Sequence, residues 1–304
     1  MRINPNSSRS TSSPIQSVRG SAPMITIARL TIGEAARKKI LWVLIILAVI
    51  AVVLTAWGVS LLVSQARDSG VSDLNLKLGV SQVLIFIAFQ FGFILAMTAA
   101  FLGAPAIAND LESGVAQAML ARPLRRSSYL LGRWLGLSLV VVGYTAASGF
   151  LAIAAVSFVS GYLPPNPIIP VAYLAGQALI LLTLTVALSV RLPPIAGGAI
   201  AVVAYGMAWL AGVLGHVGIA LGTNGLVGVS DLGRVLLPTD AMWQGVVFGL
   251  EPSLVISTIG QEQLAQGNPF FAIEGPSPAF VLWAVAWVVL ALGLAIALLR
   301  RREL

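Results

Sequence analysis

The chain has no cysteine and one histidine, His216, in 304 residues. The first absence excludes disulfides, a thiol nucleophile and cysteine-held metals. The second excludes the two-histidine zinc helix and multi-histidine ligation. Lysine is nearly missing as well. Lys38, Lys39 and Lys77 are the three, none follows a glycine, and no GxxxxGK[ST] phosphate loop exists. Charged residues make up 10% of the chain, against about 25% in soluble domains. Hydrophobic residues make up 58%, and mean hydropathy is +0.94. Scarce charge with recurrent long apolar runs describes a polytopic membrane protein. A net charge of +7 would suggest nucleic acid in a soluble chain. Beside membrane spans, cations set topology instead, and no nucleic-acid partner is expected.

Crossing the hydrocarbon takes about 20 apolar residues. Six segments qualify, at about 40–63, 80–104, 129–160, 168–190, 195–221 and 279–299. Placing the N-terminus in the cytoplasm puts 15 of the 18 Lys and Arg on the inside. Only Arg67, Lys77 and Arg234 then lie outside. Orientation follows Lys and Arg rather than net charge, so both termini are expected to be cytoplasmic. The Ser/Arg/Pro-rich residues 1–23 lack the apolar core of a signal peptide and read as a disordered tail. Residues 24–304 then form one transmembrane domain.

The pieces outside the bilayer carry pattern. Ile25, Ala28, Ile32, Ala35 and Ala36 share a helical face with Arg29 and Arg37 off it, which suits an interfacial helix before the first span. Arg37, Lys38 and Lys39 then anchor the span. Between spans two and three lies a polar island, Asn109-Asp110-Leu111-Glu112-Ser113-Gly114, followed by Arg122-Pro123-Leu124-Arg125-Arg126 and Tyr129-Leu130-Leu131-Gly132-Arg133. Asn109 or Asp110 is expected to cap a short helix with its acids in the first turn. Leu111, Val115, Ala118 and Met119 line one face of that helix, and Glu112 lies on another. Spacing alone fits an ordinary solvated loop equally well. Arg122, Arg125, Arg126 and Arg133 read as topology and headgroup anchors. Ser189 to Pro194 form a tight reversal. The external segment, about 222–278, holds a helix start at Leu236 to Trp243 capped by Thr239 or Asp240, and a second short helix over 253–266. Its buried-acid candidates, Asp240 and Glu251, sit in no triad or metal spacing, so a structural lid is expected. Three GxxxG pairs occur, Gly132/Gly136, Gly218/Gly222 and Gly245/Gly249. With 30 glycines chance gives roughly three, so they carry no packing conclusion.

Ion-coupled carriers place ionisable groups inside their spans at about 2.5–3.5 kcal/mol each. Here the interior polar groups are neutral: Gln82, Gln90, Thr98, Thr145, Ser148, Gln177, Thr183 and Thr185. They can join helices by hydrogen bonds but cannot relay protons as carboxylates do. Energy for a pump must therefore come from another subunit. An ion-coupled carrier or channel, and a membrane-embedded assembly factor, are the alternatives.

In the order and spacing of the island, the sequence resembles the type-2 ABC transporter permeases, the membrane subunits of ATP-driven exporters. The Ala28-Arg29 to Lys39 stretch is similar to that family's connecting helix. Leu237-Pro238-Thr239-Asp240 and Arg300-Arg301-Arg302 resemble the subgroup that includes the permease of nitrous-oxide-reductase maturation. The family's acid–glycine pair is looser here, since Ser113 separates Glu112 from Gly114. The resemblance implies an all-α permease of six transmembrane helices, an N-terminal interfacial helix and a cytoplasmic coupling helix. It implies a homodimer with two ATP-binding-cassette ATPase subunits in a bacterial or archaeal inner membrane. It implies that Asp110, Leu111, Glu112, Val115, Ala118 and Met119 dock on the ATPase. The chain itself would then be no enzyme and hold no cofactor or metal, with ATP and magnesium in the partner.

Overall fold

The computed structural model describes residues 22–37, 39–70, 72–115, 125–251 and 267–301. Among these the chain is all-helical, with ten helices and no strand. They are α1 (Ala22–Arg37), α2 (Lys39–Asp68), α3 (Asp73–Gly103), α4 (Pro105–Glu112) and α5 (Arg126–Ser160). Then follow α6 (Ile168–Ser189), α7 (Pro194–Leu221), α8 (Asn224–Leu236), α9 (Thr239–Leu250) and α10 (Pro278–Arg300). Six helical stretches are long and apolar enough to cross a membrane: 42–68, 75–112, 126–160, 168–189, 194–221 and 278–300. They match the six apolar runs. The tail 1–21, Lys38, Arg122 with the rest of 116–124, and the segment 252–266 lie outside the described residues.

Local chemistry sets the helix ends. The Ser72 and Ser277 hydroxyls accept the N–H groups of Asn75 (3.4 Å) and Phe280 (3.3 Å) at the starts of α3 and α10. Gly161 (φ 71°) and Gly222 (φ 65°) end α5 and α7 in the left-handed region that glycine enters without penalty. Pro194 opens α7 at its first position, where a missing N–H costs nothing, and so makes the tight reversal after Ser189.

The second span runs further than the apolar pattern shows. Pro105 reads as a stop, yet it sits at the first position of α4 and lets the helical path continue to Glu112. Asn109 and Asp110 therefore lie in the last turn of a helix. This corrects the capping role expected of them.

Helix α6 is the hub, packed by α3, α4, α5, α7, α9 and α10. Its buried polar groups bond mostly within their own helix. Thr183 and Thr185 donate to the carbonyls of Leu179 (2.7 Å) and Leu181 (2.9 Å). Thr98, Thr145 and Ser148 likewise turn back four residues. Several of these groups also bond across helices. Trp134 Nε1 donates to Thr183 (2.9 Å) and Gln177 Nε2 to Tyr205 (3.3 Å). Thr185 also donates to the Ala99 carbonyl of α3 (3.2 Å), and Gln82 to Glu251 at the end of α9 (2.7 Å), so the expectation that these groups join helices holds for four of the eight.

At one end of the bundle, α8 and α9 form a lid. Trp243, Val246, Val247 and Leu250 of α9 are buried against the transmembrane core. Trp243 meets Phe89 and Phe270 edge-on, with ring centroids 5.7 and 6.2 Å apart. The start of α9 is where the sequence puts it, but Pro238 holds the cap position and Thr239 and Asp240 follow it. Helix α8 was not expected from the sequence. It packs on α7, where Gly215 and Gly218 leave room for Ser230 and Leu226.

Candidate functional site

At the opposite end, four side chains from three helices meet. They begin with one face of α5. Tyr129, Gly132, Arg133 and Gly136 stand at i, i+3, i+4 and i+7, which stacks them along one side of a helix. The glycines make a groove for α1. A Cβ on Gly132 would lie 2.8 Å from the Ile27 Cβ and 2.9 Å from the Met24 carbonyl. One on Gly136 would lie 2.7 Å from the Ala28 carbonyl. The backbones approach this closely only because both positions lack a side chain. Composition alone made this GxxxG pair look like chance, and geometry gives it work. Gly245 and Gly249 do the same on α9, against Tyr173 and Pro170.

The face that α1 turns inward differs from the expected one. Ile27, Ala28, Thr31 and Ala35 are buried, whereas Ile25 is 52% exposed and Ala36 is exposed. Close seating on glycines places Ile27 over Gly132 and the smaller Ala28 and Thr31 over Gly136. The Thr31 hydroxyl is satisfied by the Ile27 carbonyl at 2.9 Å.

Between the glycines and the end of α4 lies an ionic joint. Arg133 stands seven residues into α5, roughly 10 Å along its axis at 1.5 Å per residue. Its Nε donates to Asp110 Oδ2 at 2.9 Å, and Nη2 reaches the same oxygen. Tyr129 donates its hydroxyl to that oxygen at 2.5 Å. The remaining arm of the fork, Nη1, pairs with Glu34 of α1. Asp110 and Arg133 are nearly enclosed, and Glu34 is half exposed. An arginine this far into an apolar helix needs a carboxylate, and a carboxylate at a helix C-terminus opposes the dipole. Each solves the other's problem.

Several sequence expectations are redistributed here. Arg133 is more than a headgroup anchor: it ties α1, α4 and α5 together. Arg126 is committed too, donating through Nη1 to the carbonyls of Leu299 (3.1 Å) and Arg300 (2.9 Å) at the end of α10. Arg191 reaches the neighbouring Leu298 carbonyl at 3.5 Å. Both cations reach carbonyls in the last turn of α10, where a helix runs short of its own donors. Arg37, Lys39 and Arg125 are exposed, as anchors would be. Of the expected docking residues, Asp110 points inward and Leu111 is half-buried against the core. Glu112 and Val115 are exposed. Ala118 and Met119 lie outside the described residues. Helix α4 ends at Glu112 with Ser113 as its cap, and Gly114 (φ 76°) turns the chain away from it.

The acids of the lid were the other candidates. Asp240 is buried and accepts from Arg234 Nε at 2.9 Å. Burial pushes its carboxyl above the usual range, and Arg234 opposes that shift. Glu251 is buried and accepts from Gln82 Nε2 at 2.7 Å. His216, also buried, shares a hydrogen bond between Nδ1 and the Gly212 carbonyl (2.9 Å). It lines a cavity of about 490 Å³ with Arg234, Gln244 and Glu274. Among the described residues no cluster of three His, Cys, Asp or Glu could hold a metal.

The sequence signal for the joint was available in two parts: an arginine inside an apolar run, and the 129/132/133/136 spacing. What was missing was its partner, 23 residues away across a turn. No curated protein matches the chain closely. Against the family model described as ABC-2 family transporter protein, residues 25–304 match. That span takes in all the helices that carry the joint, the hub and the lid, and the chain therefore belongs to the ABC-2 transporter family, as a membrane-spanning transport permease.

Proposed function

We propose that the chain is the membrane subunit of an ATP-driven exporter, working as a homodimer with two separate ATPase subunits. The carrying observation is the ionic joint. It fixes the last turn of α4 to α1 and α5, so a push on the segment that follows Gly114 reaches three helices at once. That segment docks on the ATPase through Val115, Ala118 and Met119, with Glu112 at its edge. Asp110 and Leu111 serve as its internal footing. ATP and magnesium sit in the partner, and this chain performs no chemistry on them, in keeping with its lack of a phosphate loop.

The bias of Lys and Arg supports an α1 end facing the cytoplasm and a lid facing outward, with both termini inside an inner membrane. The apolar side chains that α2 leaves exposed, among them Trp42, Val53 and Trp57, suit lipid or a second copy. Leu237-Pro238-Thr239-Asp240, at the entry to the lid helix, supports the nitrous-oxide-reductase maturation permeases as a functional model.

The test is co-purification with a candidate ATP-binding-cassette ATPase subunit. Val115→Asp and Met119→Asp are expected to abolish complex formation and coupled ATPase activity while leaving the thermal unfolding of the isolated permease in place. Complexes that survive both substitutions would remove this segment from the interface.

A further inference from the structure

The lid holds a buried carboxylate with no cation against it among the described residues. Glu251 follows the last turn of α9 and is 1% exposed. Its Oε1 accepts one bond, from the Gln82 amide on α3. Its Oε2 is buried with no partner. Tyr162, on the connection from α5 to α6, has its hydroxyl committed to the Leu250 carbonyl at 2.7 Å.

The described groups that face Glu251 are neutral. From α3 there is Gln82, with Lys77 five positions earlier on that helix. From the α5–α6 connection there is Tyr162. On α9 the other acid is Asp240, eleven residues back and held by Arg234. On α6, Tyr173 lies against Gly245, well short of the α9 end. An anion here would exchange its water shell for one neutral N–H. The neutral acid loses far less on the same burial.

We propose that Glu251 is a proton-operated latch: with its proton on, it holds the end of α9 against α3, and with its proton off that end of the lid lifts so that the carboxylate reaches water. Burial pushes this carboxyl up to about 7, and the Gln82 bond opposes the shift only in part. The movement is confined to the last turns. Upstream, Trp243 keeps its ring against Phe89 and Phe270. Near the latch, Gly249 is pressed onto α6: a Cβ there would lie 2.8 Å from Pro170. Release of Glu251 therefore also loosens the lid from the hub helix.

The sign follows from the direction of the shift. The folded protein holds this proton more tightly than the unfolded chain. The latch contributes fully below the ordinary carboxylate range and is lost as pH rises through about 7. The proposal rests on the lid alone and stands or falls apart from ATPase docking.

Because the chain has no cysteine, one reporter thiol can be added without background. Val247→Cys places it at a fully buried position of α9. In reconstituted full-length protein, maleimide labelling rates at pH 6 and pH 8 are divided by those of a free thiol. With Glu251 present the normalised rate is expected to rise roughly tenfold, the change in ionised fraction of a group titrating near 7. With Glu251→Gln the rise disappears. Equal rises in both backgrounds, or none in either, overturn the latch. If the reporter variant does not fold, thermal unfolding of the cysteine-free chain and of Glu251→Gln decides the matter. The unmodified chain must lose ground to Glu251→Gln as pH climbs through 7, and a constant gap overturns the proposal.

Discussion

At the α1 end, one oxygen of Asp110 accepts hydrogen bonds from Tyr129 and from two nitrogens of Arg133. At the lid end, Asp240 accepts one from a partly exposed arginine, and Glu251 one from an amide. All three acids are buried, but they are equipped for different work. Three donors converging on one oxygen, two of them cationic, make a fixed joint, because charge-assisted bonds hold the carboxylate in one place. One donor leaves an acid whose state depends on its surroundings. Rigidity is thus concentrated at the end where the proposed ATPase coupling would deliver force, and responsiveness where the lid closes over the hub helix.

The largest break in this contrast should come from Arg133. Arg133→Met leaves Asp110 buried with only a phenol, and losing one partner of a buried pair costs about 3–5 kcal/mol. Glu34→Gln, which removes the half-exposed arm of the fork, should cost less than about 1 kcal/mol. Thermal unfolding in nanodiscs measures both, and Asp110→Asn added to Arg133→Met should recover most of the loss. If the two single substitutions cost the same, the joint is no stiffer than a surface pair.

A steric change probes the same end without touching charge. Gly136→Leu drives a side chain into the Ala28 carbonyl and Thr31, and overpacking of that kind costs about 1–3 kcal/mol. Gly143 on the same helix has no atom within 4 Å of a built Cβ. Gly143→Leu should therefore be neutral or stabilising, since glycine costs a helix about 1 kcal/mol. Limited proteolysis of α1 alongside the melting curve separates undocking of that helix from general unfolding. Equal effects at the two glycines would mean that α1 is held by the ion pairs alone.

Much of this architecture was legible in the sequence, and the exceptions share a cause. The six spans follow from length and apolarity, which no tertiary contact needs to arbitrate. The Pro193-Pro194 reversal and the start of α9 follow from local chemistry in the same way. The misread pieces depend on partners distant in sequence. Asn109 and Asp110 look like caps because short polar residues before an apolar face usually are. Only Arg133 and Tyr129 make a C-terminal position tolerable for Asp110. The buried face of α1 was displaced because a glycine groove favours Ala28 and Thr31 over Ile25. Helix α8 hid behind its glycines, which lower helix propensity; of these only Gly233 presses on α7, at Ala211, and Gly215 and Gly218 of α7 make the rest of the room. The lid acids were found as residues, yet their surroundings come from α3 and α8, and spacing within one segment cannot show that.

The smallest expected effect tests the lid side of the contrast. Asp240 is 3% exposed, and its partner Arg234 keeps 29% of its side chain in contact with solvent. Taking the carboxylate out of water therefore offsets most of what the pair returns. Asp240→Asn keeps the shape and an acceptor for Arg234 Nε, so its cost should stay within about 1 kcal/mol. The pH dependence carries more information than the size. Burial holds the folded-state carboxyl above its ordinary 3.8, so its stabilising contribution is complete below that value and declines as pH rises. The unmodified chain should then lose stability relative to Asp240→Asn on going from acid to neutral pH, measured by thermal unfolding at matched ionic strength. The opposite slope, with the unmodified chain gaining on the variant, would mean that Arg234 outweighs burial. Asp240 would then belong with Asp110 as a fixed joint, and Glu251 would be left as the single responsive acid of the lid among the described residues.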